Sequence, residues 1–327
     1  MPDPFSEHVS SPEWLAATEG RVRRMLREVG VRPTGPLERR RVRPWSTQLT
    51  IATDAGTVWC KQNHPAMAFE ARVQAVLAEL VADAVQAPLA IDAGRGLLLM
   101  TDHGPSVAER GQVTTDVWAR LVGEAARLQR SLVGRRTDLV GAGVPDRSIR
   151  VEDRFEDLVE LLAGLPAPHP ARLVDADASR LRAAGPAVAD AVRVLADSPY
   201  PSAWNHGDLH PGNAFPLADG VRLFDLADGQ WANALEVLAV PHDWIDRQPD
   251  LAWEPVRDAW AAAWGLRPPT AEEWRSMRIV HAVNRTGTWT GVIDDMTEPE
   301  LRRWAHYAAD ELLGVLRHAG GDYADFS

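Results

Sequence analysis

The stretch from Trp204 to Gly229, WNHGDLHPGNAFPLADGVRLFDLADG, constrains this chain more than any other part of it. It places a carboxylate, Asp208, five positions before an amide, Asn213, on a loop containing Pro211 and Gly212, and sets a second carboxylate, Asp225, after the apolar run Val221, Leu223, Phe224. Moving a terminal phosphoryl group from a nucleotide to a hydroxyl requires a base near the attacking oxygen and oxygen ligands for the magnesium that bridges the phosphates. Asp208 suits the base, and Asn213 and Asp225 suit the metal. Two other readings compete. His206, Asp208 and His210 have the residue types of a zinc site in a hydrolase, although that leaves Asn213 and Asp225 idle. His-Pro-Gly-Asn closing a plain surface bend would need no chemistry at all.

The spacing from Asp208 to Asn213 matches the protein-kinase loop H-R-D-x-x-x-x-N, with Gly207 where protein kinases carry arginine, and Asp225 falls where their D-F-G aspartate does. His206-Gly-Asp-Leu-His-Pro-Gly-Asn213 followed by Leu-Phe-Asp225 resembles the aminoglycoside phosphotransferase family of small-molecule kinases. The resemblance implies a two-lobed, protein-kinase-like α+β fold, with a small mainly-β N-terminal lobe over residues 1–103 and a larger mainly helical lobe over residues 104–327. It implies ATP- or GTP-dependent phosphorylation of a small-molecule hydroxyl, with Asp208 as the catalytic base and Asn213 and Asp225 holding Mg2+. Members of the family act on aminoglycosides and other antibiotics, amino sugars and amino alcohols, so a role in antibiotic resistance and a metabolic one both fit. The alternative from another class is a nucleotide-binding regulatory protein that no longer catalyses.

The chain has 34 arginines and a single lysine, Lys61. A sequence that uses arginine wherever a cation merely has to be a cation has kept one compact ammonium, a group that reaches between phosphate oxygens as a planar guanidinium does not. A kinase needs such a lysine on its third strand. Leu49 and Ile51 alternate with Thr50 and Ala52, Asp54-Ala-Gly56 makes a turn, and Thr57 to Lys61 resumes extended structure, so a hairpin and a lysine strand are expected between Arg41 and Lys61. No G-x-G-x-x-G occurs; the candidate nucleotide loop is Pro44 to Gln48, where Ser46 and Thr47 are the expected hydroxyl and backbone donors to phosphates. In the helix expected over Ala66–Ala84, Glu70 is where the resemblance puts the partner of the strand lysine. Leu97 to Gly104 resembles the family's hinge, with Met100 lining the adenine pocket and the backbone of Thr101 to His103 bonding the base.

Helical apolar spacing also covers residues 12–29, 113–132, 151–165, 178–196, 255–264, 271–290 and 299–318. Two further strands are expected, Pro88 to Ile91 and Gly96 to Met100. Thirteen tryptophans are present, eight of them after the catalytic motif; helix packing is their default, and one or two suit the wall of a ring pocket.

Net charge is −11, and its placement matters. Residues 1–110 carry 13 basic and 13 acidic side chains, leaving 22 basic against 33 acidic beyond them. Such a surface repels nucleic acid and favours a cationic small-molecule substrate, for which Asp228, Glu236 and Asp243 are candidate ligands. The most apolar stretches are too short to span a bilayer, and the first ten residues have neither a basic nor an apolar segment, so a cytoplasmic protein with no membrane partner is expected. Cys60, alone, excludes an internal disulfide. Nothing in the sequence specifies an oligomeric state.

Overall fold

The computed structural model describes residues 3–218 and 220–320; Asp219 and the polar stub 321–327 lie outside the described residues. Two helices lead, α1 (Phe5–Ser10) and α2 (Pro12–Glu28), the second started by Ser11, whose hydroxyl accepts from the Trp14 N–H, and by Pro12 at the first helical position. Five strands follow: β1 (Pro33–Arg43), β2 (Ser46–Thr53), β3 (Gly56–Asn63), β4 (Ala90–Asp92) and β5 (Leu97–Thr101), with α3 (Glu70–Leu80) between β3 and β4. They form one antiparallel sheet in the order β1-β2-β3-β5-β4. Pro33, Gly35 and Pro36, residue types that suit a connector, are instead the start of β1. It is an edge strand, where a missing proline N–H costs no ladder bond. Val22 and Leu26 of α2 pack with Leu37, Leu49 and Ile51 in a small core on this sheet.

Beyond the sheet the chain is mainly helical: α4 (Thr115–Ser131), α5 (Arg136–Gly141), α6 (Val151–Gly164), α7 (Asp175–Ala183), α8 (Gly185–Asp197), α9 (Ala239–Ile245), α10 (Trp253–Trp264) and α11 (Ala271–Ile293). The two-lobed α+β architecture is therefore the expected one, with a larger continuous core built on α4, α6, α10 and α11. The helix expected over 178–196 is two helices, because Gly185-Pro186 starts α8 and its ring removes a donor from the ladder. That expected over 299–318 is also broken, into Glu298–Glu300, a π-helical turn Leu301–Ala305, His306–Leu312 and Gly314–Ala319. Two short strand pairs set into this lobe carry the motif: β6 (Ser202–Asn205) with β9 (Gln230–Asn233), and β7 (Ala214–Leu217) with β8 (Gly220–Leu223).

The C-terminal segment returns to the sheet. The Ser6 hydroxyl donates to Glu300 Oε2 at 2.9 Å, His64 meets Asp295 at 3.0 Å, and Trp45, at the β1–β2 tip, packs edge-on against Trp289 of α11 and Trp304, with ring centroids 5.8 and 5.2 Å away.

Candidate active site

A cleft of about 500 Å³ opens between the sheet and the helical lobe. Its walls include Lys61 and Glu70 on one side and Gly212, Phe215, Phe224 and Asp225 on the other. Lys61 sits centrally in β3, opposite Gln48 of β2 and Leu98 of β5, so its backbone is fixed on both sides. Its Nζ lies 2.7 Å from Glu70 Oε2 and 2.6 Å from Asp225 Oδ1. Burial works against the ammonium, but Asp225 and Glu70 outweigh it and hold Lys61 charged above its ordinary range. Glu70, the first residue of α3 and 1% exposed, is fixed in turn: Oε2 accepts from Asn63 Nδ2 at 2.5 Å, and Oε1 accepts from the Leu226 backbone N–H at 2.8 Å. One carboxylate thus ties strand, helix and the Asp225 segment together.

Asp225 has φ +61°, in the left-handed region that side chains other than those of glycine, asparagine and aspartate seldom adopt. Backbone strain of this kind persists where surroundings over-determine it. Burial opposes its charge, and Lys61 overrides that and keeps it ionised. The adjoining Phe224 N–H donates to the Asn213 carbonyl at 3.1 Å, and His206 Nε2 donates to the Phe224 carbonyl at 2.9 Å. His206 Nδ1 accepts the Asp208 N–H at 3.3 Å. Both ring nitrogens are therefore spent within the protein, and burial holds the imidazole neutral. That leaves His206 no lone pair for zinc, and no group of three or more histidine, cysteine or acidic side chains placed to hold a metal occurs among the described residues.

Asp208 and Asn213 face each other: Asn213 Nδ2 donates to the Asp208 carbonyl at 2.9 Å and to its Oδ2 at 3.2 Å, leaving the amide oxygen as an acceptor. Burial raises the Asp208 carboxyl, but the hydrogen bond with His210 and the cation of Arg285 drive it well below the usual carboxylate range. Asn213 Oδ1 and the Asp225 carboxylate are hard oxygen donors, and Asp225 lines the cleft. An incomplete oxygen set of this kind fits magnesium, which keeps waters and phosphate oxygens among its ligands.

Met100, Thr101, Asp102 and Gly104 line the cleft as well, whereas His103 does not. Gln86 Nε2 donates to the Thr101 carbonyl at 3.1 Å, and the Asp102 N–H donates to the Thr57 carbonyl at 3.1 Å, which fixes the strand end. The His103 ring turns to Phe215, 5.4 Å between centroids, and Phe215 stacks on Phe224 at 4.2 Å, so two aromatic rings floor the pocket from the helical lobe. Sequence reasoning did not single out Gln86 or Phe215; their signal exists only once the chain is folded.

The hydroxyls of Ser46 and Thr47 are not in the cleft. β2 already begins at Ser46, so the tip is only Pro44 and Trp45; Ser46 and Thr47 are 1% and 0% exposed, and the Thr47 hydroxyl donates to the Arg41 carbonyl at 2.9 Å. Gln48 lines the cleft in their place. The three acids suggested for substrate are each engaged. Asp228 Oδ1 is 2.5 Å from Arg285 Nη1; Asp243 is 2.9 Å from Arg278; Glu236, 3% exposed, accepts from Gln230 and Asn284. Of the tryptophans, Trp204, Trp260 and Trp274 are core, whereas Trp244 is 46% exposed with its ring tilted over His210 at 5.3 Å.

A phosphotransferase enzyme family model, of the aminoglycoside phosphotransferase type, matches residues 45–280. The chain belongs to that family. Among solved structures, this phosphotransferase is similar to a type I macrolide 2′-phosphotransferase, with TM-score 0.60 and 18% identity over 90% of this chain and 97% of that one. It is similar to a choline/ethanolamine kinase family protein from Mesorhizobium loti, with TM-score 0.55 and 18% identity over 96% and 95%. It is also similar to a spectinomycin phosphotransferase in complex with ADP and spectinomycin, with TM-score 0.52 and 11% identity over 91% and 98%. No curated protein matches the phosphotransferase by sequence. No helix among the described residues is long and apolar enough to cross a membrane.

Proposed function

We propose that this small-molecule phosphotransferase transfers the terminal phosphoryl group of ATP or GTP to a hydroxyl of a small, amine-bearing acceptor. The observation that carries the reading is the ammonium of Lys61 held at 2.7 and 2.6 Å by Glu70 and Asp225, on the cleft wall that adjoins the Asp208–Asn213 loop. In this reading the base stacks on Phe215 and Phe224 and bonds the hinge backbone, and the division into lobes falls at residue 103. Lys61 contacts the phosphates, and Asp208 orients the acceptor hydroxyl and takes its proton. The acceptor oxygen then bonds to phosphorus as the bond to the nucleoside diphosphate breaks, and the diphosphate leaves. Asn213 and Asp225 would hold Mg2+, which when bound neutralises charge on the phosphates. Four carboxylates, those of Glu70, Asp208, Asp225 and Asp228, face two cations, Lys61 and Arg285, so the site carries negative charge that a divalent cation balances.

The acceptor side supports an amine. Exposed Trp244 overlies His210, which is 3.5 Å from Asp208 Oδ2, and exposed Asp246 and Asp250 follow on the same segment. A ring face or a cation packs well on an exposed indole, and the free carboxylates favour positive charge. Since Asp228, Glu236 and Asp243 are engaged, they serve the acceptor only by shaping its surroundings. A cytoplasmic site of action accords with the nucleotide supply. The test is ADP or GDP release with each nucleotide against a panel of aminoglycosides, spectinomycin, a macrolide, choline and ethanolamine. Nucleotide binding without acceptor-dependent release across amine-bearing and amine-free alcohols alike would favour the silent regulator.

A further inference from the structure

Gly207 stands one residue before Asp208, at the position where protein kinases carry arginine. It cannot carry any side chain here. Its φ is +78°, and a Cβ would lie 2.0 Å from the Asp228 carbonyl oxygen and 2.7 Å from the carbonyl carbon. The loop is thus pressed backbone to backbone against the segment after Asp225. A guanidinium nevertheless reaches this point from elsewhere. Arg285, in the middle of α11, sets Nη1 3.4 Å from the Gly207 carbonyl oxygen and 2.5 Å from Asp228 Oδ1. Its side chain is 17% exposed.

We infer that Arg285 is a positioning residue for the catalytic loop, a guanidinium delivered by α11 to the place where the loop's own sequence has only glycine. The inference rests on the phosphotransferase reading of Asp208. One planar donor bonds the residue preceding the base and the segment following Asp225, so it fixes the two halves of the site relative to each other. Its support is rigid. α11 is 23 residues long and packs against α8 and the C-terminal helices, and Trp289, one turn on, lies 5.9 Å from the Arg285 guanidinium carbon and packs on Trp45 at the sheet's hairpin tip. The bland alternative is that Arg285 only neutralises the Asp228 carboxylate, as any buried pair would.

The two differ when Asp228 is made neutral. Arg285→Met alone leaves a buried carboxylate unpaired and invites misfolding, so the informative comparison is Asp228→Asn against Asp228→Asn/Arg285→Met and Asp228→Asn/Arg285→Lys. Two readouts are taken on the full chain: hydrogen exchange of the peptide covering residues 205–214, and kcat and KM for ATP with an acceptor from the panel. Positioning predicts that adding Arg285→Met speeds exchange in that peptide about tenfold or more, with the rest of the protein unchanged. It also predicts that kcat falls on the order of 10²-fold while KM for ATP stays within about threefold, and that lysine restores part of the loss. If the double variant matches Asp228→Asn in exchange and in kcat, Arg285 is a counter-ion and the inference is overturned. Were no panel member a substrate, the phosphotransferase proposal would suffer, while the exchange comparison would still decide the role of Arg285.

Discussion

Lys61 Nζ and Asp225 Oδ1 are 2.6 Å apart across 164 positions of sequence, and Glu70 holds the same ammonium from the other side. Asp225 is also the residue proposed to hold magnesium, so on that proposal a bound metal would compete with Lys61 for the same carboxylate. As the sole lysine, Lys61 should be labelled stoichiometrically by an amine-directed acylating analogue of ATP and protected by excess ATP with magnesium. Lys61→Arg should keep the charge yet lose activity on the order of 10²-fold, since the wider guanidinium does not fit between Glu70 and Asp225. Slow labelling without protection, together with an arginine variant as active as the parent, would remove Lys61 from the site.

Asp208→Ala should leave nucleotide affinity, measured by titration calorimetry, within a few-fold of the parent. Turnover should fall by about 10² to 10⁴, because positioning the hydroxyl and accepting its proton contribute only as phosphate transfers. Acceptor-dependent ADP release at the parent rate would sink the assignment.

Asp225→Asn should raise the magnesium concentration needed for half-maximal activity by about tenfold or more, as a charged oxygen ligand is replaced by a neutral one. Asp190→Asn, on the exposed face of α8, is the control. Superimposable magnesium titrations for the two variants would mean that the metal is held elsewhere.

Gly207→Ala tests the backbone contact under the catalytic loop. A methyl group there meets the Asp228 carbonyl at 2.0 Å in a left-handed conformation, so the loop must shift or strain by about 1–3 kcal/mol. Thermal unfolding should drop by a few degrees and turnover should fall steeply. A variant with parent stability and parent kcat would show that the loop is not confined as described.

Cys60 lies in the cleft wall yet is 0% exposed, and burial pushes its thiol up to about 12. At pH 8 on the order of one molecule in 10⁴ carries the thiolate, so a maleimide or disulfide reagent should fail to label the native protein at that pH and should label it fully in denaturant. Rapid native labelling that nucleotide blocks would show instead that β3 opens toward the cleft.

The site was legible where chemistry is carried by local order in the chain. Asp208 and Asn213 are five residues apart on one loop, Asp225 follows two residues after β8, and the solitary Lys61 is conspicuous against 34 arginines. Strands β2 to β5 and the helices after them were legible for the same reason, since strand alternation and helical spacing are short-range signals. What escaped was set by distant contacts. Arg285 reaches Gly207 from 78 positions away, and nothing distinguishes it in sequence from the arginines around it. The acids Asp228, Glu236 and Asp243 read as free charge because their partners Arg285, Asn284 and Arg278 all sit on α11, far downstream. Ser46 and Thr47 read as loop because β2 hides a two-residue tip, and a tip that tight is recognisable only with its register in hand.

The return of the C-terminal segment onto the sheet bears on how the molecule is made. Ser6 waits for Glu300, and Trp45 for Trp304, so these contacts cannot form until nearly all of the described chain has left the ribosome. The sheet, although translated first, completes its docking among the last events of assembly. During synthesis the Trp45 indole at the hairpin tip lacks both partner rings until residues 289 and 304 have been made.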